Sequence, residues 1–271
     1  MLLLLILSVT CFAPEDPHGA GLGVPPCSWG RGCLSAIQAP PSLVRLERGQ
    51  ACLLFSEMPG AGWLTGCAAG KSWEKLSIGL HAVRYEDRED GGGASRLSGG
   101  LTIARVITGS PYGFIEEFFG PSLAVGLGIR ASTWEDDSTG ERATGFDLDC
   151  GLQFSVFPTF ALGFSALQVA SLADSTADAV YNYGASYVFN RDLTGHVAWT
   201  SGGTGLSAGA DLKISDALRV RAGTDGETLS CGAGLRHGDL ELDYGLDLSD
   251  DNTALHSVSL TVSFGERRSF R

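Results

Sequence analysis

The sequence is poor in charge, and poorer in positive charge. Only 18% of its 271 residues are Asp, Glu, Lys or Arg, with 31 acidic against 19 basic and a formal net charge of −12. No basic cluster interrupts that balance, so nucleic acid is not an expected partner, because phosphate contacts need Lys and Arg. An acidic surface also repels anionic headgroups, which argues against peripheral lipid binding by charge. Past the N-terminus there is no unbroken run of 18 apolar residues, so a membrane-spanning helix, which needs about 20, is excluded. The seven cysteines include no CxxC pair. A structural zinc site is therefore not expected, nor any other metal or cofactor.

What is present begins with Met1–Ala13, MLLLLILSVTCFA. This apolar run is too short to span a bilayer and ends in small residues, so residues 1–13 are expected to be a secretory signal sequence, although no Lys or Arg precedes the run. Cys11 follows Ser8-Val9-Thr10, a poor match to a lipid-attachment site. Cys27 and Cys33 flank a Gly-rich stretch and can pair in an oxidising periplasm. Cys52, Cys67, Cys150 and Cys231 stand alone. Glycine is abundant, 38 residues, about twice the usual share of roughly 7%. It is scattered through apolar segments, as in sheets that bend and pack closely.

From about residue 50 onward the hydrophobic period is two. Leu240, Leu242, Tyr244, Leu246 and Leu248 alternate with Glu241, Asp243, Gly245 and Asp247. Phe146, Leu148, Cys150, Leu152, Phe154 and Val156 alternate with Asp147, Asp149, Gly151, Gln153 and Ser155. Val258, Leu260, Val262 and Phe264 alternate with Ser257, Ser259, Thr261 and Ser263. Weaker alternation runs through Leu123–Arg130, Tyr181–Asn190 and Leu229–Arg236. On a strand, such spacing puts every apolar side chain on one face. Turn signals separate the segments: Arg88–Gly93, Asp136–Gly140, Asn190–Asp192, Ser201–Gly203, Thr224–Gly226, His237–Asp239 and Ser249–Asn252. Most are short, which favours antiparallel hairpins.

The reading is all-β, with about fourteen strands starting near residues 50, 62, 75, 96, 122, 143, 159, 179, 193, 205, 217, 228, 239 and 255. An even number of such strands fits a closed antiparallel transmembrane β-barrel, since in lipid no sheet edge can stay unpaired. The lipid bilayer is then the partner of the apolar faces, the cell outer membrane the location, and the polar faces line the lumen. A soluble β-rich surface or adhesion module is the competing reading.

Little in the chain points to catalysis, and the protein is expected not to be an enzyme. Gly66–Ser72 falls one residue short of a phosphate-binding loop and lacks its strand-to-helix context, so Gly70-Lys71-Ser72 reads as a hairpin turn. His81 and His196 fall on polar faces and read as hydrogen-bonded lumenal groups rather than the base of a His–Ser hydrolase. Arg219, Arg221, Arg236, Glu241, Asp243 and Asp247 fall on the polar faces of consecutive strands and form a candidate lumenal charge ladder. It serves either as an ion network that holds the barrel's shape or as a selectivity lining. Trp134, Tyr181, Trp199 and Phe264 are placed to sit in aromatic girdles at headgroup level; Tyr183 and Tyr187 fall nearer mid-strand.

Residues 14–49 do not alternate. Gly19-Ala20-Gly21-Leu22-Gly23 leads to Ala39-Pro40-Pro41-Ser42-Leu43, and Arg45–Gly49 then enters the first strand. This opening, with the final strand Leu255–Gly265, resembles the PorV/PorQ-type outer-membrane proteins, relatives of the FadL-like channels. Pro40 and Leu43 match that family's Asn-Pro-Ala-Gly-Leu segment, whereas Ala39, Pro41 and Ser42 depart from it. The resemblance implies a fourteen-stranded barrel (50–265) behind an N-terminal hatch or periplasmic segment (14–49), with a short tail (266–271). It implies a role in protein secretion or surface attachment, with a secretion-system component or exported protein as partner. The alternative is FadL-like transport of small hydrophobic molecules.

Overall fold

A computed structural model describes residues 33–58, 62–73, 75–87, 94–109, 121–136, 139–157, 159–171, 179–201, 205–248 and 254–266. The expected signal sequence, Cys11, Cys27 and all but the first residue of the tail lie outside these.

Fourteen strands follow one another: β1 (Gly49–Met58), β2 (Gly62–Trp73), β3 (Leu76–Asp87), β4 (Ala94–Thr108), β5 (Ser122–Asp136), β6 (Arg142–Phe157), β7 (Phe160–Ser171), β8 (Val180–Val188), β9 (Leu193–Thr200), β10 (Gly205–Lys213), β11 (Leu218–Thr224), β12 (Leu229–His237), β13 (Leu240–Leu248) and β14 (Ala254–Phe264). Each begins within two residues of the start read from the alternation. Each pairs antiparallel with its chain neighbours, and β14 returns to β1 from Gly49 opposite Phe264 to Glu57 opposite His256. On the inside of that seam the Ser56 and Ser257 hydroxyls hydrogen-bond at 2.9 Å. The sheet is one closed barrel with no free edge, so it is no soluble sandwich of two layers.

Period-two alternation sets which way each side chain faces. Leu127 and Ile129 on β5 are each 58% exposed on the outer wall, while Arg130 between β4 and β6 is buried inside. The same holds on β13, where Leu242 faces out and Asp243 in. An apolar outer wall of this extent is a liability in water and a requirement in lipid. The connections at the end where β1 begins and β14 finishes are tight, with Trp73 paired to Leu76, Phe157 to Phe160 and His237 to Leu240.

Aromatic side chains gather on the outer wall near both rims. Tyr181 and Trp199 face outward at the rim where β1 finishes, and Phe264 faces outward at the rim where β1 begins. Tyr183 joins the first group, with ring centroids 5.1 Å from Phe164 and 5.5 Å from Trp199. Tyr187 stacks edge-on to Phe189 at 5.0 Å. In the nine-residue β8, Tyr187 is the last residue but one, whereas Tyr183 stays near the middle, as the sequence suggested. Trp134 does not belong to a girdle. It shares the inward parity of Arg130 and stands opposite Arg96 of β4.

The turn expected at Gly70-Lys71-Ser72 is also corrected. Those residues continue β2, and the reversal comes at 74–75. Lys71 faces outward and carries its ammonium 5.4 Å from the Trp73 ring centre, a snorkelling arrangement at the rim.

Ahead of β1, two short 3-10 helices, Ser35–Ile37 and Pro40–Arg45, hold a compact segment that is buried almost throughout. Proline opens the second helix, where its fixed φ suits the turn and its missing N–H costs no bond. Arg48 ties the segment's exit to the end of β14: its guanidinium donates to the Gly265 carbonyl at 2.8 Å and pairs with Asp239 in the β12–β13 turn.

Candidate functional site

The lumen is where the sequence-derived candidates converge. Pro40 and Leu43 lie in the second 3-10 helix, and both are fully buried. They rest on glycines of the inner wall. A Cβ at Gly79 of β3 would come within 2.9 Å of Leu43, and one at Gly70 of β2 within 3.1 Å of it. A Cβ at Gly126 of β5 would strike the Pro40 backbone at 2.5 Å, and one at Gly151 of β6 the Pro41 ring at 2.8 Å. Four inward positions without side chains thus form a shelf on β2, β3, β5 and β6, onto which the segment fits.

Around that shelf the inner wall is apolar. Cys52 and Leu54 of β1, Leu64 and Ala68 of β2 and Val83 of β3 pack with Cys33, Leu34 and Ile37. Ala104 and Val106 of β4 and Ala124 of β5 pack with Leu43, Val44 and Leu46. A lumen lined throughout by polar faces was the sequence expectation, and it fails here. The wall opposite meets it: Asn182, Ser186, His196, Ser207, Asp211, Arg221, Ser230 and Asp243 are all buried on the inner face of β8–β13. The lumen is two-sided at this level: an apolar patch on the inner face of β1–β5 is covered by the N-terminal segment, while β8–β13 present polar groups.

On the polar side, Arg221 of β11 is the centre of an ion cluster. Its Nε lies 3.4 Å from Asp211 on β10, and its Nη1 lies 2.7 Å from Asp243 on β13. The reach to Asp243 crosses β12 at Gly234, where a Cβ would sit 2.5 Å from the Asp243 carboxylate and 2.9 Å from Arg221 Nη2. The Nη1–Asp243 contact is close but off-axis for a hydrogen bond, and both atoms count as unpaired by hydrogen-bond geometry. The pairing is therefore chiefly coulombic. Glu241 feels Asp243, Arg219, Arg236 and Arg221, and stands opposite Arg236 in register. Asp247 is apart from them: it accepts a hydrogen bond from its cross-strand partner Ser230. Five of the six candidate charges thus share one electrostatic neighbourhood, and Asp211 joins them.

A second cluster, not singled out in the sequence, sits across the barrel. Arg130 of β5 reaches Asp149 at 3.1 Å and Asp147 at 3.8 Å on β6. Asp149 also accepts the backbone N–H of Gln168 at 2.8 Å. There β7 bulges: Leu167, Gln168 and Val169 stand against Asp149 alone, and Gln168 has φ 59°, the one non-glycine residue with positive φ among those described. Such a conformation is strained and must be held by its surroundings. Of the two histidines, His196 is buried opposite Ser186 of β8, and the His81 ring lies over Gly100. Asn182, near Ser186 on β8, is engaged by Thr200 and Ser165.

No family model matches the chain, and no curated protein matches it in sequence. Solved structures do match in fold. A Pseudomonas aeruginosa FadL homologue aligns over 93% of this chain and 98% of its own, with TM-score 0.61 and 11% identity. The Pseudomonas putida toluene transporter TodX aligns over 92% and 96%, with TM-score 0.60 and 10% identity. A deltaS2 mutant described as the TodX monoaromatic hydrocarbon channel gives TM-score 0.59 at 10% identity, over 93% and 100%. The chain has the closed barrel fold of these FadL-type proteins.

Proposed function

We propose that this protein is an outer-membrane channel for small hydrophobic compounds, with residues 33–48 acting as its hatch. The observation that carries the reading is the two-sided lumen. A water-filled pore for polar solutes has no use for Leu54, Leu64, Val83 and Val106 on its inner wall, whereas a hydrophobic solute gains from burial against them at roughly 25 cal/mol per Å². While the segment is docked, that surface is covered. Its partial release would expose an apolar track beside the polar wall. The neighbours are described as a FadL homologue and a toluene or monoaromatic hydrocarbon transporter, which fits the same solute class. That weight falls on the FadL-like alternative and not on the PorV/PorQ-like role in secretion or surface attachment, for which no feature among the described residues speaks.

Reconstitution into liposomes tests the reading. Flux of a monoaromatic hydrocarbon should exceed that of protein-free vesicles, with little entry of sugars of similar size. Sugar entry without hydrocarbon flux would overturn it.

A further inference from the structure

Cys33 is the first described residue of the N-terminal segment, and Cys52 lies on β1 facing inward. Both are buried thiols, at 4% and 3% exposure, in the same apolar cluster. The Cys33 Sγ lies 3.6 Å from the carbonyl oxygen of Ala68. Ala68 is the residue directly opposite Cys52 in the β1–β2 register. Cys33 therefore stands over the cross-strand pair that contains Cys52, and the two thiols belong to one packed cluster. On its other side, Cys52 accepts a hydrogen bond from Thr261 of β14 at 3.2 Å, its partner across the closing seam. A Cβ at Gly70, two residues along β2 from Ala68, would already lie 3.3 Å from the Cys33 Cβ, so the cysteine is pressed against the wall.

We propose that Cys33 and Cys52 form a disulfide in the exported protein, a covalent staple that fixes the N-terminal segment to β1. In the reaction each thiol loses its proton, and the Cys33 and Cys52 sulfurs join. The two electrons pass to a disulfide-bearing protein donor of the oxidising periplasm, which is released as a dithiol. Because both sulfurs are buried once the segment has docked, exchange takes place before docking is complete. The staple assigns Cys33 a different partner from Cys27, the residue to which the sequence spacing pointed. It rests on export to the periplasm and not on the solute carried.

The test is a peptide map of the full-length protein extracted from membranes, with free thiols blocked during denaturation and no reductant added. The expected result is one cross-linked peptide pair containing Cys33 and Cys52, lighter by about 2 Da than the two free peptides for the hydrogens lost. Reductant should abolish it, and C33S should leave Cys52 open to alkylation. Complete alkylation of both residues without reductant overturns the proposal, as does a Cys27–Cys33 link. Should C33S fail to assemble, the wild-type map decides alone. The readout is a mass, so it stands or falls separately from any measurement of transport.

Discussion

Arg221 and Asp243 meet across an intervening strand, 2.7 Å apart, above the side-chain vacancy at Gly234. Neither residue is on a strand adjacent to the other. Their pairing depends on β12 presenting no side chain at that point, so a glycine sets the reach of an ion pair.

The first prediction follows from that geometry. Arg221→Leu removes the guanidinium that bridges buried Asp211 and Asp243, and breaking a buried pair in this way costs about 3–5 kcal/mol. The urea midpoint for loss of the heat-modifiable folded band should fall clearly. The triple change Arg221→Leu, Asp211→Leu, Asp243→Leu should recover much of the loss. Equal midpoints for wild type and the single variant would show that the cluster holds nothing.

Gly234→Val tests the vacancy itself. The new side chain would occupy the space between the carboxylate and guanidinium, so the variant should lose stability in the same direction as Arg221→Leu. In combination with Arg221→Leu its effect should be much smaller than additive, because both act on one interaction. Simple additivity in a double-mutant cycle would disprove the coupling.

The glycine shelf predicts a change in permeability without loss of the barrel. Gly126→Leu and Gly79→Leu both drive a side chain into the space held by Pro40 and Leu43. The segment is expected to lift while the outer wall is unaltered. Liposomes carrying either variant should admit small solutes faster than wild type, with heat-modifiable mobility retained. Leu43→Ala removes a fully buried side chain from the same contact and should loosen the segment at a cost of about 2–5 kcal/mol. Unchanged flux in all three would mean that the segment does not limit passage.

A fourth prediction concerns the outer wall. Leu127→Lys puts a charge among lipid tails and should destabilise the inserted protein by about 2–4 kcal/mol if its position is near the midplane. Thr133→Lys, on the same face but near the end of β5, should cost much less, because the ammonium can reach the headgroups. Folding yields into vesicles would rank the two. The reverse order would place the membrane at the wrong height on the barrel.

Strand positions were legible because an outward Leu followed by an inward Ser, Gly or Asp is an unambiguous period of two, as on β13 and β14. The same rule loses force where both faces are apolar. On β1, Leu53, Leu54 and Phe55 form a continuous run because Leu54 meets the N-terminal segment while its neighbours meet lipid. The apolar patch of the lumen was invisible for that reason. Gly70-Lys71-Ser72 misled because it has the composition of a turn, whereas the true reversal at 74–75 uses no glycine.

Asp211 was missed for a different reason, since Ala208, Gly209 and Ala210 before it give no alternation. A hairpin centred on Asp216 nevertheless places Asp211 opposite Arg221, as the register shows. Arg130 and Asp147 are opposed in the same way about the β5–β6 turn. Pairing positions across each turn would have revealed both clusters.

Arg48 is bonded to Gly265, more than two hundred positions away, and to the turn before β13. This clasp exists only once the last ribbon has been threaded beside the first. Closing the ring and fastening the N-terminal segment are thus coupled, and a chain halted short of its final strand would have neither a closed wall nor that tether.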